Sequence, residues 1–221
     1  MSGAIAVIPA RGGSKRIPRK NLRPFNGVPL MQYAIDACHA AGCFAEVVVT
    51  SEDADIGGLS QSLGARWHQR PEALADDHTP LAPVVLNVLT GNYGHLQQVA
   101  VVLANPFVRA QDLRNGLAMM EGEFNPVASV ARLPVPFARV LRKDQDGTLS
   151  MAAMEADRTQ DLAPAFADAG QWYWTWHAQA RHGLLVGALP YELPRERVCD
   201  LDTEDDWRTA ELMWRFLDGK A

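Results

Sequence analysis

Six cations open this chain before any anion appears. Arg11, Lys15, Arg16, Arg19, Lys20 and Arg23 all precede Asp36, the first acidic residue, although the whole chain carries 21 Lys and Arg against 26 Asp and Glu. A cationic stretch without local carboxylates suits a polyphosphate, and Gly12, Gly13 and Ser14 within it are small enough for their backbone N–H groups to turn toward an anion. A solvated basic loop is the bland alternative. It accounts for the charge but not for the position, directly after a short apolar run. At the far end stands Cys199-Asp200-Leu201-Asp202-Thr203. In an extended segment, alternation puts Asp200 and Asp202 on the same side, close enough to share a hard cation. Glu204, Asp205 and Asp206 read differently: with Thr203 as cap they fit the positive first turn of a helix. A D-x-D pair alone is a weak pattern; opposite a phosphate loop it becomes a magnesium candidate.

Two familiar phosphate motifs are excluded. Gly13-Ser14-Lys15 lacks the earlier glycine of a Walker A loop, and no G-x-G-x-x-G occurs in the chain. None of the six histidines lies in an HExxH or beside a nucleophile. His78, after Asp76-Asp77, is the one expected near the site.

The elements that must position these residues follow a strand–helix rhythm. Apolar runs at 4–8, 47–49 and 99–103, with a shorter one at 65–67, read as buried strands. Helical spacing covers 29–41, the stretch from Ser51-Glu52-Asp53 to Gly64, 80–89 and 111–120. Residues 127–130 and 171–176 read as further strands, and 204–217 as a final amphipathic helix. The alternation predicts an α/β fold, a mostly parallel twisted sheet with helices on both faces, whose first strand ends where such sheets bind ligands. After Ala131 the rhythm breaks. Pro134, Pro136 and the turn at 144–147 predict a small protruding insertion at 131–150 on an otherwise single domain spanning 1–221.

The segment Ile8-Pro9-Ala10-Arg11-Gly12-Gly13-Ser14-Lys15-Arg16-Ile17-Pro18-Arg19-Lys20-Asn21 resembles the N-terminal signature of the cytidylyltransferases that activate nine-carbon ulosonic acids, the CMP-sialic acid synthetases among them. The resemblance continues through Ser51-Glu52-Asp53, Arg70-Pro71-Glu72-Ala73-Leu74-Ala75-Asp76-Asp77 and Asp200 to Asp206, in order along nearly the whole chain. It implies a nucleotide-diphospho-sugar transferase-like sheet, a CTP and a ulosonic acid substrate, Mg²⁺, and a homodimer in which 131–150 reaches a neighbour. It also implies roles. Ala10, Arg11, Gly12, Gly13, Ser14, Lys15, Lys20 and Asn21 would bind the nucleotide, Arg70 would lie near the cytosine, and Asp200 and Asp202 would hold the metal. Arg11, Lys20, Asp200 and Asp202 form the catalytic set. Arg158-Thr159-Gln160-Asp161-Leu162 and Asp168-Ala169-Gly170-Gln171-Trp172-Tyr173-Trp174 are most similar to the pseudaminic acid branch. There Arg158 would meet the sugar carboxylate, and Asp168, Gln171 and Tyr173 would line the sugar pocket. One departure stands out: Leu103-Ala104-Asn105-Pro106-Phe107 lacks the glutamine of the sialic acid enzymes, leaving Asn105 as the side-chain amide for the base. The implied reaction moves CMP from CTP to the anomeric hydroxyl and releases pyrophosphate. N-acetylneuraminic or legionaminic acid is the alternative acceptor, and a nucleotide-sugar-binding protein without turnover is the rival of another class.

Composition bounds the partners. A net charge of −5 disfavours nucleic acid and anionic membrane surfaces. No apolar run reaches the ~18 residues of a transmembrane helix. Cys38, Cys43 and Cys199 have no C-x-x-C spacing, which disfavours a zinc site or disulfide framework and fits a reducing cytoplasm. The opening residues also lack a signal-peptide layout, because the charges follow the apolar run.

Overall fold

Ala4–Pro9 (β1) is an all-apolar strand with five of its six residues buried, so it must lie between two other strands with a layer on each face. In the computed structural model, which describes residues 3–91, 93–151, 158 and 161–218, it does. Its partners are Phe44–Ser51 (β4) and Gln98–Val102 (β6), both parallel to it. Arg66–Gln69 (β5) extends the sheet beyond β4. On the other side Phe166–Trp176 (β10) runs antiparallel to β6 and to Val127–Arg132 (β7), and Leu189–Glu192 (β11) closes that edge parallel to β7. The order is β11-β7-β10-β6-β1-β4-β5. The sheet is therefore mixed and mostly parallel, with one antiparallel strand inserted between two parallel groups.

Helices cover both faces, as the alternation predicts. Leu30–Ala41 (α1), Ala54–Ser62 (α2) and Ala110–Glu123 (α4) pack with Ala4, Ala6 and Ile8 on one side. Leu81–Leu89 (α3) packs with Ile5 and Val7 on the other. Local chemistry sets the boundaries. Gly42 ends α1 in the left-handed region at φ 66°, and Asp53 caps α2 by accepting from the Asp55 and Ile56 N–H groups. Glu204–Asp218 (α5) begins in a reciprocal cap: Asp206 N–H donates to Thr203 Oγ1 at 3.2 Å, and Thr203 N–H donates to the Asp206 carboxylate at 2.7 Å.

A third apolar cluster matters most for the site. Ile17, Phe25, Leu30, Phe107, Leu201, Trp207 and Ala210 are buried together. Ile17 belongs to the cationic loop and Leu201 lies between the two aspartates, so one core anchors both charged segments. Arg23 strengthens this seam, stacking over the Trp207 ring at 4.3 Å and pairing with Glu204 at 2.5 Å.

The structure adds elements to the sequence reading. Pro24–Phe25 (β2) and Val28–Pro29 (β3) form a minute hairpin around Asn26 and Gly27, both at positive φ. Strand β10 runs eleven residues, its first half reaching Phe166 to pair with Arg132. The insertion is a hairpin of Leu141–Lys143 (β8) and Leu149–Met151 (β9), separate from the main sheet. Residue 158 is described without its immediate neighbours, and Thr159 and Gln160 of the quoted motif lie outside the described residues.

Packing between α4 and β10 leaves no room for a side chain at Gly116. A Cβ there would stand 2.7 Å from the Trp172 and Trp174 rings, both fully buried. Helix propensity alone would favour alanine by about 1 kcal/mol, but overpacking of this kind destabilises by about 1–3 kcal/mol. Gly116→Ala should therefore lower the unfolding free energy measured by denaturant titration. A stabilised variant would contradict this packing.

Candidate nucleotide site

The carboxyl ends of β1, β5 and β6 open on one cavity of 290 Å³. Pro9, Arg11, Lys20 and Asn21 line it from the segment after β1, Arg70 from the end of β5, and Leu103, Ala104 and Asn105 from the segment after β6. Gly170, Asp200 and Leu201 form the opposite wall. A second cavity of 300 Å³ shares Arg11, Lys20, Asn21 and Asp77 with the first and adds Ser14, Lys15, Arg16 and Asp202. One space is thus mixed in character and the other almost wholly ionic, side by side.

The cationic loop is built rather than loose. Ala10 N–H donates to Thr50 O at 3.1 Å, continuing the β1–β4 pairing, and Asn21 Nδ2 donates to Arg11 O at 2.9 Å. Gly12 N–H donates to Glu52 Oε1 at 2.7 Å, and a Cβ on Gly12 would collide with Asp53. This corrects the expected role of Gly12, which serves close packing because its N–H faces Glu52 rather than an anion. Gly13 lines neither cavity, although it stands in open space. Arg70 is buried beneath the loop, with one guanidinium nitrogen donating to Thr50 O at 2.6 Å and Nε without a partner. Burial pulls its pKa down, opposed by Glu52. Arg70 lines the cavity, while this Nε is itself buried.

The two aspartates reach the site from different angles. Asp200 lines the mixed cavity and Asp202 the ionic one. The single shared face expected from alternation becomes two adjoining walls. Lys20 stands between the loop and this acidic strip, donating to Leu201 O at 2.8 Å with Asp202 3.9 Å away. Burial lowers its pKa, opposed by the attraction of Asp202 and Asp200. Arg16 also pairs with Asp202, at 2.8 Å. Asp200 has its pKa raised by burial and then by repulsion from Asp202.

Asp77 is a site residue to which the quoted motif attached no role. Its carboxylate pairs with Arg11 and with Lys15, each at 2.5 Å, and it lines both cavities. The Lys15 hydrogen bond, with help from Arg11, holds it below the ordinary aspartate value of 3.8. The protein's own carboxylate therefore sits on two of the cations that could take a phosphate. His78 is exposed and lines neither cavity; its backbone N–H caps Asp76 instead.

The expected sugar residues divide. Strand β10 loses register with β7 between Asp168 and Tyr173, where Gly170 adopts φ 61°. That kink brings Gly170 to the cavity, where a Cβ would stand 3.5 Å from the Asp200 carboxyl. Asp168 accepts from Gly170 N–H at 2.9 Å and from the Tyr173 hydroxyl at 2.6 Å. Burial and then Asp168 push the Tyr173 phenol upward, so it stays a donor. Three of the expected residues line neither cavity. Gln171 is fully buried and gives its amide to Arg197 O, so it lines neither cavity. Tyr173 is only 4% exposed and likewise lines neither. Arg158 is exposed and lines neither. Asn105 does reach the cavity, but Nδ2 donates to Cys199 O at 2.8 Å and Oδ1 accepts from Phe107 N–H at 3.0 Å. Its amide is thus held by the backbone on both sides, with one N–H and one lone pair left over.

An α/β sheet presenting a cation-lined cleft at its strand ends defines a phosphate- or nucleotide-binding protein. A family model described as Cytidylyltransferase matches residues 5–161, and the chain belongs to that family. The chain is 31% identical to a pseudaminic acid cytidylyltransferase of Campylobacter jejuni, covering 96% of both. It is 30% identical to a CMP-N,N'-diacetyllegionaminic acid synthase of Legionella pneumophila, covering 95% of each. An N-acylneuraminate cytidylyltransferase A of Danio rerio is 27% identical over 93% of this chain and 49% of its own length. The solved structure of a CMP:2-keto-3-deoxy-manno-octonic acid synthetase complexed with CTP superposes with a TM-score of 0.72, covering 97% of this chain and 99% of that one at 17% identity. That likeness establishes the shared fold.

Removing the internal anion tests the ionic cavity. Asp77→Asn should bind CTP or pyrophosphate roughly two- to fivefold more tightly by calorimetry, because the pair it breaks is solvent-washed and modest. Weaker binding would mean that Asp77 holds the loop in its binding geometry instead.

Proposed function

We propose that the protein transfers CMP from CTP to the anomeric hydroxyl of a nine-carbon ulosonic acid, with pseudaminic acid as the first acceptor to test. The observation that carries this reading is the pairing of the two cavities: an ionic one walled by Arg11, Lys15, Arg16 and Lys20 beside a mixed one with Arg70 in its wall. The first suits a triphosphate tail and the second a base and sugar. The names of the two relatives at 30–31% identity support the acceptor class.

In this reading the acceptor hydroxyl attacks the α-phosphorus, a new C–O–P linkage forms, and the bond to the β-phosphate breaks with pyrophosphate leaving. The protein contributes position and charge; no covalent intermediate is required. Arg11, Lys15 and Lys20 neutralise the phosphates, which displace Asp77 from Arg11 and Lys15. Asp168, fixed by Tyr173 and Gly170 and close enough to Asp200 to raise its pKa, lines neither cavity and would meet the acceptor from beside Asp200. Arg70, in the wall of the mixed cavity, would approach the base.

Asp200 and Asp202 fit a divalent cation by their donor chemistry. Burial and mutual repulsion already raise the Asp200 pKa, which a nearby cation would relieve. Among the described residues no group of three or more His, Cys, Asp or Glu is arranged to hold a metal. Two carboxylates suffice for Mg²⁺ because phosphates and waters complete its octahedron. When bound, the ion would supply charge neutralisation and Lewis-acid polarisation at the phosphates. Arg16 would have to release Asp202.

A homodimer is part of the proposal, supported by exposed Phe137, Leu141 and Leu149 on the excursion. A reducing cytoplasm fits three free cysteines, and among the described residues no helix is long and apolar enough to cross a membrane.

The test is pyrophosphate release from CTP with pseudaminic, legionaminic and N-acetylneuraminic acids as separate acceptors. Release with pseudaminic acid is expected, dependent on Mg²⁺. In Asp202→Asn it should fall on the order of a hundredfold and recover partly at high Mg²⁺. CTP binding with no release from any acceptor would favour a binding protein without turnover.

A further inference from the structure

Among the described residues no strand pairs with the strip that carries the two aspartates, yet its carbonyls are not left to water. Gln171 Nε2 donates to Arg197 O at 2.5 Å, Asn105 Nδ2 to Cys199 O at 2.8 Å, and Lys20 Nζ to Leu201 O at 2.8 Å. Arg197 ends the short 3-10 turn Arg195–Arg197, and Cys199 and Leu201 follow at two-residue spacing, at which the carbonyls of an extended chain point the same way. Three side chains from three different parts of the fold thus do for this strip what a neighbouring strand would do. Asp200 lies between two of the tethered carbonyls, and Asp202 directly follows the third.

The tethers are oriented, not incidental. Phe107 N–H donates to Asn105 Oδ1 at 3.0 Å, so the other end of that amide must be the donor that meets Cys199 O. Gln171 is fully buried and its Oε1 has no hydrogen-bond partner, leaving Arg197 O as the sole bond of a polar group held in the core. Arg197 is itself buried and paired with Asp112 of α4 at 2.5 Å, and Tyr191 of β11 donates to the same carboxylate at 3.1 Å. The strip is therefore anchored at its start and then held at alternate residues up to the aspartates.

We infer that Gln171 and Asn105 are positioning residues that set the placement of the Asp200 and Asp202 carboxylates for a divalent cation, and that neither touches the base or the sugar. The inference rests on the reading of Asp200 and Asp202 as metal carboxylates given above.

Two variants remove the donors while keeping the surroundings. Gln171→Met preserves volume without the amide. Asn105→Ser keeps a hydroxyl able to accept from the Phe107 N–H but too short to reach Cys199 O. The measurement is Mn²⁺ affinity of the CTP-bound protein by electron paramagnetic resonance, with CTP affinity in EDTA and a thermal melt alongside. Both variants should bind Mn²⁺ about tenfold more weakly or worse, with CTP affinity in EDTA within about twofold of the parent chain. Either variant alone is decisive if the other does not fold. Unchanged Mn²⁺ affinity in a folded variant, while Asp200→Asn loses it, would overturn the inference and leave the metal reading standing. An equal loss of CTP affinity in EDTA would overturn it by showing direct contact with the nucleotide. Equal Mn²⁺ binding by the parent chain and Asp200→Asn would overturn the metal reading and this inference with it.

Discussion

The ammonium of Lys20 joins the two charged halves of this molecule. It hydrogen-bonds Leu201 O at 2.8 Å and stands 3.9 Å from Asp202, although 181 residues separate the partners. Burial works against its charge, and the two aspartates offset part of that loss. Without such a cation, the carboxylates of Asp200 and Asp202 would repel each other. Without the strip, the cluster of Arg11, Lys15, Arg16 and Lys20 would face only Asp77. Each half makes the other tolerable, and the cleft between them is where an anion and a metal cation could enter together. The core beneath gives this arrangement its rigidity, since Ile17 and Leu201 are buried in one cluster on α5.

The sheet explains why the cleft lies where it does. Parallel strands β1, β4 and β6 all end at the same edge, so the segments after them converge. Insertion of β10 antiparallel beside β6 then directs the chain so that the kink at Gly170 meets the Asp200 segment. A continuous parallel sheet would have placed a crossover helix there instead.

Much of this was legible in the sequence, for reasons that differ by residue. The buried strands announced themselves as short apolar runs, and Gly42 and Thr203 as helix boundaries, because those signals are local. The cationic loop was legible because six cations without an anion is a compositional event in an acidic chain. The partnerships of Gln171 and Asn105 were not, since amide-to-carbonyl bonds across 26 and 94 residues leave no pattern in either neighbourhood. Strand β11 escaped because Leu189-Pro190-Tyr191-Glu192 is short and carries a proline, tolerable only at an edge. Asp77 was present in a recognised motif, but its contact with Arg11 and Lys15 depends on how the loop folds back.

The most direct measurement concerns Lys20 itself. Lys20→Met keeps the length of the side chain and removes the charge, so a folded variant isolates the electrostatic link. Calorimetric titration with CTP should show a loss of about 1.5–3 kcal/mol of binding free energy, with Mn²⁺ affinity of the nucleotide complex reduced as well. A folded Lys20→Met protein that binds CTP and Mn²⁺ as the parent chain does would contradict the account.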